Sequence, residues 1–140
     1  MNRDEMKRRT KGFELRIVRL SKALPGTHET DVIGRQLLKS GTSIGANYRE
    51  ATRSSSRRHF VTNLAICLRE GDETIYWLEL LAESEIMWAE RLTNMLDECN
   101  QLVAILTAAV RTTKKNSPPN QTARTVANQM ASDPNLPLLN

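Results

Sequence analysis

The chain has 140 residues, of which 39% are apolar and 26% charged, and its formal net charge at pH 7 is +4. This length and composition fit one globular domain. No apolar run approaches the ~18 residues that a transmembrane helix needs, and no apolar segment typical of a signal peptide follows the N-terminus. We therefore expect a cytoplasmic protein that does not bind membranes. Cys67 and Cys99 are expected to be small core residues, not a disulfide or nucleophiles.

The charge is unevenly distributed along the chain. Residues 1–69 carry a net charge of +9, whereas residues 70–140 carry −5. The two halves therefore attract each other, and they leave one basic and one acidic side available to partners.

Apolar residues recur at spacings of three and four over residues 4–24, which predicts the first helix. These residues are Phe13, Ile17, Leu20 and Leu24. Pro25 and Gly26 end the helix, and either Thr27 or Thr30 is able to cap the next one. The other faces of the first helix are basic, with Arg8, Arg9, Lys11, Arg16, Arg19 and Lys22.

A second helix is predicted over residues 31–53, with an apolar seam that alternates spacings of four and three. The seam consists of Ile33, Leu37, Ser40, Ile44, Asn47 and Ala51. Each glycine costs a helix roughly 1 kcal/mol relative to alanine, so Gly34, Gly41 and Gly45 indicate close approach of another helix or, alternatively, a weak helix. We interpret Asn47 as a satisfied polar group that fixes the register of packing.

The opposite face of the second helix is basic. It carries Arg35, Lys39, Arg49 and Arg53, and Arg57 and Arg58 follow just beyond it. Such a stripe is either a phosphate-binding surface or a solvated face. No aromatic residues alternate with these cations, so sequence-specific base recognition is not indicated.

A third helix, capped by one of Ser54, Ser55 and Ser56, is predicted to end near Glu83. Its main seam contains Val61, Leu64, Leu68, Gly71, Ile75, Leu78 and Ala82, with Gly71 expected to receive the small face of the second helix. A second apolar face contains Ile66, Trp77 and Leu80, with Tyr76 beside them. Two apolar faces predict self-association, or else a broad core stripe covered by a loop or the tail. Glu70 and Glu73 lie on the second face, where they could pair with arginines across an interface.

A fourth helix is predicted to end near Lys115, with a seam of Trp88, Leu92, Met95, Cys99, Leu102, Leu106 and Ala109. Four amphipathic helices with short connections predict an all-α, antiparallel up-down-up-down four-helix bundle over residues 1–115. Residues 116–140 are polar and contain prolines, which predicts a disordered, flexible C-terminal tail.

Residues 43–51, SIGANYREA, resemble a motif of the bacterial 23S rRNA intervening-sequence protein family. Matching segments lie at 36–37 (QL), 58–60 (RHF), 64–67 (LAIC) and 70–78 (EGDETIYWL). The resemblance covers roughly residues 10–110. It implies a four-helix bundle that assembles as a ring, typically a homopentamer, with no established enzymatic activity. Asn47 and Glu50 match motif positions, and we interpret both as structural.

A branch related to this family serves diversity-generating retroelements, where a basic ring contacts nucleic acid and a reverse transcriptase. By resemblance, the partners expected for this chain are copies of itself, RNA or DNA, and a reverse transcriptase or another protein.

The sequence offers no recognisable catalytic site, metal or cofactor. A di-iron site in a helical bundle needs Glu-x-x-His motifs, but Pro25 and Ser56 stand three residues before His28 and His59. Glycine-rich nucleotide motifs are absent. We therefore expect a non-enzymatic homo-oligomer that binds nucleic acid through its basic helix face. The alternative is a protein–protein scaffold or adaptor that does not bind nucleic acid directly.

Overall fold

A computed structural model describes residues 1–87 and 89–116. This part of the chain forms four helices and contains no strand: α1 (Arg3–Ala23), α2 (His28–Thr52), α3 (Arg57–Glu83) and α4 (Ala89–Asn116). The all-α prediction is confirmed. Asn116 belongs to α4, and the remainder of the predicted tail lies outside the described residues, as does Trp88. Within the described residues, no helix is long and apolar enough to cross a membrane.

Polar side chains define the starts of the inner helices. Thr30 donates its backbone N–H to Thr27 Oγ1 (3.3 Å), and Thr27 N–H donates to Thr30 Oγ1 (3.1 Å), which forms a reciprocal capping box. The helix α2 therefore begins at His28, three residues earlier than predicted. Ser56 is the serine that caps α3, because its Oγ accepts the N–H of His59 at 3.1 Å.

The helices run up-down-up-down. Three pairs that face each other across α1 and α2 advance in opposite directions along the two helices: Glu14–Gly45, Ile17–Gly41 and Leu24–Gly34. Each helix packs mainly on its neighbours in sequence, so that α2 contacts α3 and α3 contacts α4. The pair α1 and α4 closes the bundle with far fewer contacts, and this leaves an open groove between them.

One apolar core runs through all four helices. In α1 the predicted core residues Phe13, Ile17 and Leu20 are buried. In α4 five predicted core residues are buried: Leu92, Met95, Cys99, Leu102 and Leu106. Burial of this apolar surface supplies the main driving force for packing the four helices together.

The buried face of α3 is rotated from the predicted seam. Its buried residues are Leu64, Cys67, Gly71, Thr74, Leu78 and Leu81, whereas Val61, Leu68, Ile75 and Ala82 are only half-buried. Thr74 is not among the predicted seam residues. Its hydroxyl is satisfied within the helix by donating to Glu70 O at 2.7 Å, so its burial leaves no polar group without a partner.

Glycines allow close approach at two helix pairs. A Cβ built on Gly41 would lie 2.9 Å from Cγ2 of the fully buried Ile17, which confirms the predicted role of this glycine. Gly71 faces α4, where a Cβ would lie 2.7 Å from Val103 Cγ2. The expectation that Gly71 receives the small face of α2 is therefore wrong.

The glycines of α1 and α2 provide a matched pair of substitutions. Gly12→Ala should raise the free energy of unfolding by up to about 1 kcal/mol, because a helix prefers alanine and a Cβ there meets nothing within 4 Å. Gly41→Ala should lower it by about 1–2 kcal/mol, because overpacking against Ile17 outweighs the same gain. Urea denaturation measures both values, and equal stabilisation by the two variants would contradict the close approach.

Candidate nucleic-acid interface

The six predicted phosphate-binding side chains are all exposed. Four of them, Arg35, Lys39, Arg49 and Arg53, extend along the outer face of α2 and its C-cap, opposite the buried seam. At 1.5 Å per residue this face is about 27 Å long. The other two, Arg57 and Arg58, lie in the first turn of α3. The six cations therefore occupy α2, its C-cap and the first turn of the helix that follows.

These cations are free to meet an external anion. In residues 1–87 and 89–116, the ion pair Arg9–Glu98 is the one pair whose charged atoms approach within 4.0 Å. Arg35 donates from Nε to the backbone oxygen of Asp31 at 3.2 Å. Arg57 donates from Nη1 to the backbone oxygen of Asn116. These carbonyls orient two of the guanidinium groups without neutralising them.

Arg57 also lines a pocket of about 410 Å³ at one end of the bundle. The pocket lies where α1 and α3 begin and α2 and α4 end, and Arg3, Ser54, Ser55 and Phe60 are among its lining residues. The Arg3 guanidinium carbon lies 4.9 Å from the centroid of the Phe60 ring, within cation–π range. Sequence reasoning missed Arg3, because a residue at the first turn of α1 carries no periodic signal that relates it to α3.

Glu14 lies between the basic face and the core. Its Oε1 accepts the backbone N–H of Gly45 at 2.6 Å, an approach that a Cβ on Gly45 would block. Burial raises the pKa of Glu14 to about 7, although the Gly45 hydrogen bond and the charge of Arg49 lower it. Glu14 lines a pocket of about 240 Å³ together with Lys11 and Arg49. A negative charge therefore appears next to the basic face near neutral pH.

The predicted structural polar residues have different surroundings. Asn47 is half-buried and donates from Nδ2 to Ser43 O at 2.7 Å, within its own helix. Glu50 and Glu73 are exposed and Glu70 is half-buried. None of these three carboxylates forms an ion pair with the described residues of the same chain, so their pairing across an interface stays a prediction.

The second apolar face of α3 is partly covered by the chain itself. Trp77 is half-buried and packs against the core, whereas Tyr76 is 56% exposed. Their ring centroids lie 4.9 Å apart in an edge-on arrangement. Ile66 and Leu80 are half-buried. Because α3 packs between α2 and α4, Trp77 is partly covered, Leu80 keeps part of its surface accessible, and Tyr76 stays exposed.

The cysteines are buried in the core, and burial raises the pKa of Cys67 and of Cys99 to about 12. Both thiols are therefore protonated at neutral pH, and a protonated thiol is a poor nucleophile. Among the described residues, no three side chains of His, Cys, Asp or Glu lie together as a candidate metal site.

Comparison with known proteins places the fold in a family. The family model described as 23S rRNA-intervening sequence protein matches residues 3–108. The chain belongs to this family. It is also similar to a crystal structure from Bacteroides thetaiotaomicron, described as a protein with unknown function from the S23 ribosomal protein family. That relative is 37% identical, with a TM-score of 0.74 over 79% of this chain and 99% of the other. No curated protein matches the chain.

Membership of the 23S rRNA-intervening sequence protein family confirms the resemblance noted from residues 43–51 and the segments around them. The match spans α1, α2, α3 and most of α4. It therefore includes both the basic face and Glu14.

Replacing Glu14 tests the charge at this interface. The folded protein favours the protonated carboxyl, so this stability is complete below the ordinary pKa of about 4.5 and is lost as pH rises through about 7. Because Glu14 is only half-buried, we discount the full shift and expect a loss of about 1–2 kcal/mol between pH 5 and pH 8. Urea denaturation should show that Glu14→Gln removes this loss.

The control for this experiment is Glu79→Gln, which changes an exposed residue of α3 in the same way. It should reproduce the pH dependence of the wild type. If the Glu14→Gln and wild-type stabilities changed in parallel between pH 5 and pH 8, Glu14 would not have the raised pKa described above.

Proposed function

We propose that the chain is a non-enzymatic, cytoplasmic homo-oligomer that binds nucleic acid through the basic face of α2 and the start of α3. One observation carries the proposal: six exposed cations lie on the outer face of α2, at its C-cap and in the first turn of α3, and no carboxylate of the described residues lies within 4.0 Å of them. Lysine and arginine side chains on such a surface neutralise phosphates and release the counterions bound to nucleic acid.

The chemistry of the surface favours the phosphate backbone over the bases. Tyr48 is the aromatic residue of α2, and it is buried, so it does not provide a platform for base stacking. Binding is therefore expected to tolerate many sequences and to depend strongly on salt. RNA is the first probe because the family takes its description from the intervening sequence of 23S rRNA.

Assembly of several copies would place several weakly binding basic faces on one oligomer. Tyr76 and Leu80 give α3 an outward apolar area that a second copy is suited to cover. The family resemblance favours a pentameric ring. Several copies of the basic face on one ring would bind a long nucleic acid together, and linked sites raise overall affinity without new contacts.

The second candidate function is a protein–protein scaffold. Exposed acidic residues accumulate on α3, including Asp72, Glu73, Glu79 and Glu83. This surface suits a basic protein partner, such as a nucleic-acid enzyme like a reverse transcriptase. The two functions are compatible, since the basic surface lies on α2 and the first turn of α3, whereas the acidic residues lie in the second half of α3.

Removing two arginines tests the nucleic-acid proposal. Arg49→Ala/Arg53→Ala should weaken binding of a fluorescent RNA oligonucleotide measured by anisotropy. It should also reduce the slope of log affinity against log salt by about 1 for each arginine that contacts a phosphate. The control is Arg111→Ala/Lys114→Ala, which removes two exposed charges from α4 and should keep the wild-type slope. Affinity that does not change with salt would exclude this function.

Self-association is tested on the outward side of α3. Tyr76→Glu/Leu80→Glu should reduce the molar mass measured by light scattering, because two carboxylates in an apolar interface lose hydration without gaining a partner. The matched control is Leu15→Glu, at a residue of α1 that is 48% exposed. We expect this control to keep the wild-type mass. An unchanged mass for the α3 variant would remove this face as the interface.

A further inference from the structure

The groove between α1 and α4 contains a small pocket that the basic face of α2 does not include. Its volume is about 220 Å³. It is lined by residues from both helices: Arg16, Arg19, Leu20, Ala23, Arg91 and Met95. The helix α1 packs mainly on α2 and makes few contacts with α4, which leaves space for a pocket between α1 and α4. We refer to these six residues as the arginine pocket.

Three arginines, Arg16, Arg19 and Arg91, line this pocket, and none of them forms an ion pair with the described residues. None of the described residues that line it is acidic. The acidic group that joins α1 and α4, Glu98, is already engaged by another arginine. Arg9 donates from Nε and Nη2 to the two carboxylate oxygens of Glu98, at 3.0 and 2.9 Å. A third donation from Arg9 Nη2 reaches Gln101 Oε1 at 3.0 Å.

The other side chains of the pocket are apolar. Leu20 and Met95 are core residues, 6% and 4% exposed, and Ala23 stands beside them. Guanidinium groups repel one another more strongly beside such low-dielectric carbon than in open water. An anion with several oxygens removes this repulsion, because each arginine presents a planar fork of donors that matches phosphate geometry.

We propose that the arginine pocket binds a phosphate group. The volume of about 220 Å³ is below the roughly 300 Å³ at which pockets for drug-sized ligands begin. It therefore accommodates a phosphate with a short apolar stem and not a whole nucleotide. The phosphate belongs either to a small phosphorylated molecule or to a nucleic-acid backbone, and both sources present the same chemistry to Arg16, Arg19 and Arg91.

This inference goes beyond the proposed function and does not rest on it. The arginine pocket lies between α1 and α4, whereas the nucleic-acid surface lies on α2 and the start of α3. A protein that never binds RNA would still bind phosphate here. Conversely, RNA binding through α2 does not require the arginine pocket.

The test is a calorimetric titration of the full chain with inorganic phosphate at constant ionic strength. The pocket variant Arg16→Gln/Arg91→Gln removes two of the three cations. The matched control Arg8→Gln/Arg111→Gln removes two exposed cations outside the pocket. We expect saturable binding by the wild type and the control, and at least tenfold weaker binding by the pocket variant.

Two further measurements keep the result decisive. If the double variant does not fold, Arg19→Gln alone replaces it, since Arg19 is exposed and also lines the pocket. In the wild type, the NMR signals of the Arg16, Arg19 and Arg91 Nε–H groups should shift and saturate with phosphate. Binding that is not saturable, or that falls equally in the pocket variant and the control, would overturn the proposal.

Short RNA distinguishes the two sources of the phosphate. If the pocket serves a nucleic-acid backbone, the pocket variant should bind RNA more weakly than the control, and free phosphate should compete with RNA. If it serves a small phosphorylated molecule, the pocket variant should lose phosphate binding and keep the RNA affinity of the control. Both results would support phosphate binding in the arginine pocket, and each would identify one source of the phosphate.

Discussion

The close approach of α1 to α2 is the constraint on which the remaining structure depends. Gly34, Gly41 and Gly45 leave room for side chains of α1, including the fully buried Ile17 and the carboxyl group of Glu14. By comparison, α1 makes few contacts with α4, so the bundle is tight on one side of α1 and open on the other.

This asymmetry decides where the charges lie. Because the small and apolar side of α2 faces inward, its arginines and lysine face outward along about 27 Å of helix. On the open side, Arg16, Arg19 and Arg91 line one pocket, and none of the described residues that line it is acidic. The exposed cations named here therefore lie on two surfaces with different shapes. One extends along α2 to the start of α3, and the other is a small pocket in the open groove between α1 and α4.

Glu14 links packing to charge. Its carboxyl group occupies the space that Gly45 leaves, where burial raises its pKa to about 7. The charge of the surface around Arg49 therefore changes within the physiological pH range. A residue in one helix thus sets the electrostatics of its neighbour.

Much of the fold could be predicted from the sequence. The spacing of Phe13, Ile17 and Leu20 defined the buried face of α1, and helix-ending residues such as Pro25 marked the connections. Such patterns are local, because an α-helix repeats every 3.6 residues regardless of what packs on it. The same periodicity placed Arg35, Lys39, Arg49 and Arg53 on one exposed face, and the motif over residues 43–51 indicated the family.

Only the tertiary structure decided which helix faces contact each other. It rotated the buried seam of α3 toward Cys67 and Thr74, placed Gly71 against Val103 of α4, and half-covered Trp77. It also brought Glu14 to Gly45 and Arg16 to Arg91, pairs that are 31 and 75 positions apart in the sequence. Helical periodicity specifies which residues share a face, but the partner of that face depends on the fit between helices distant in sequence.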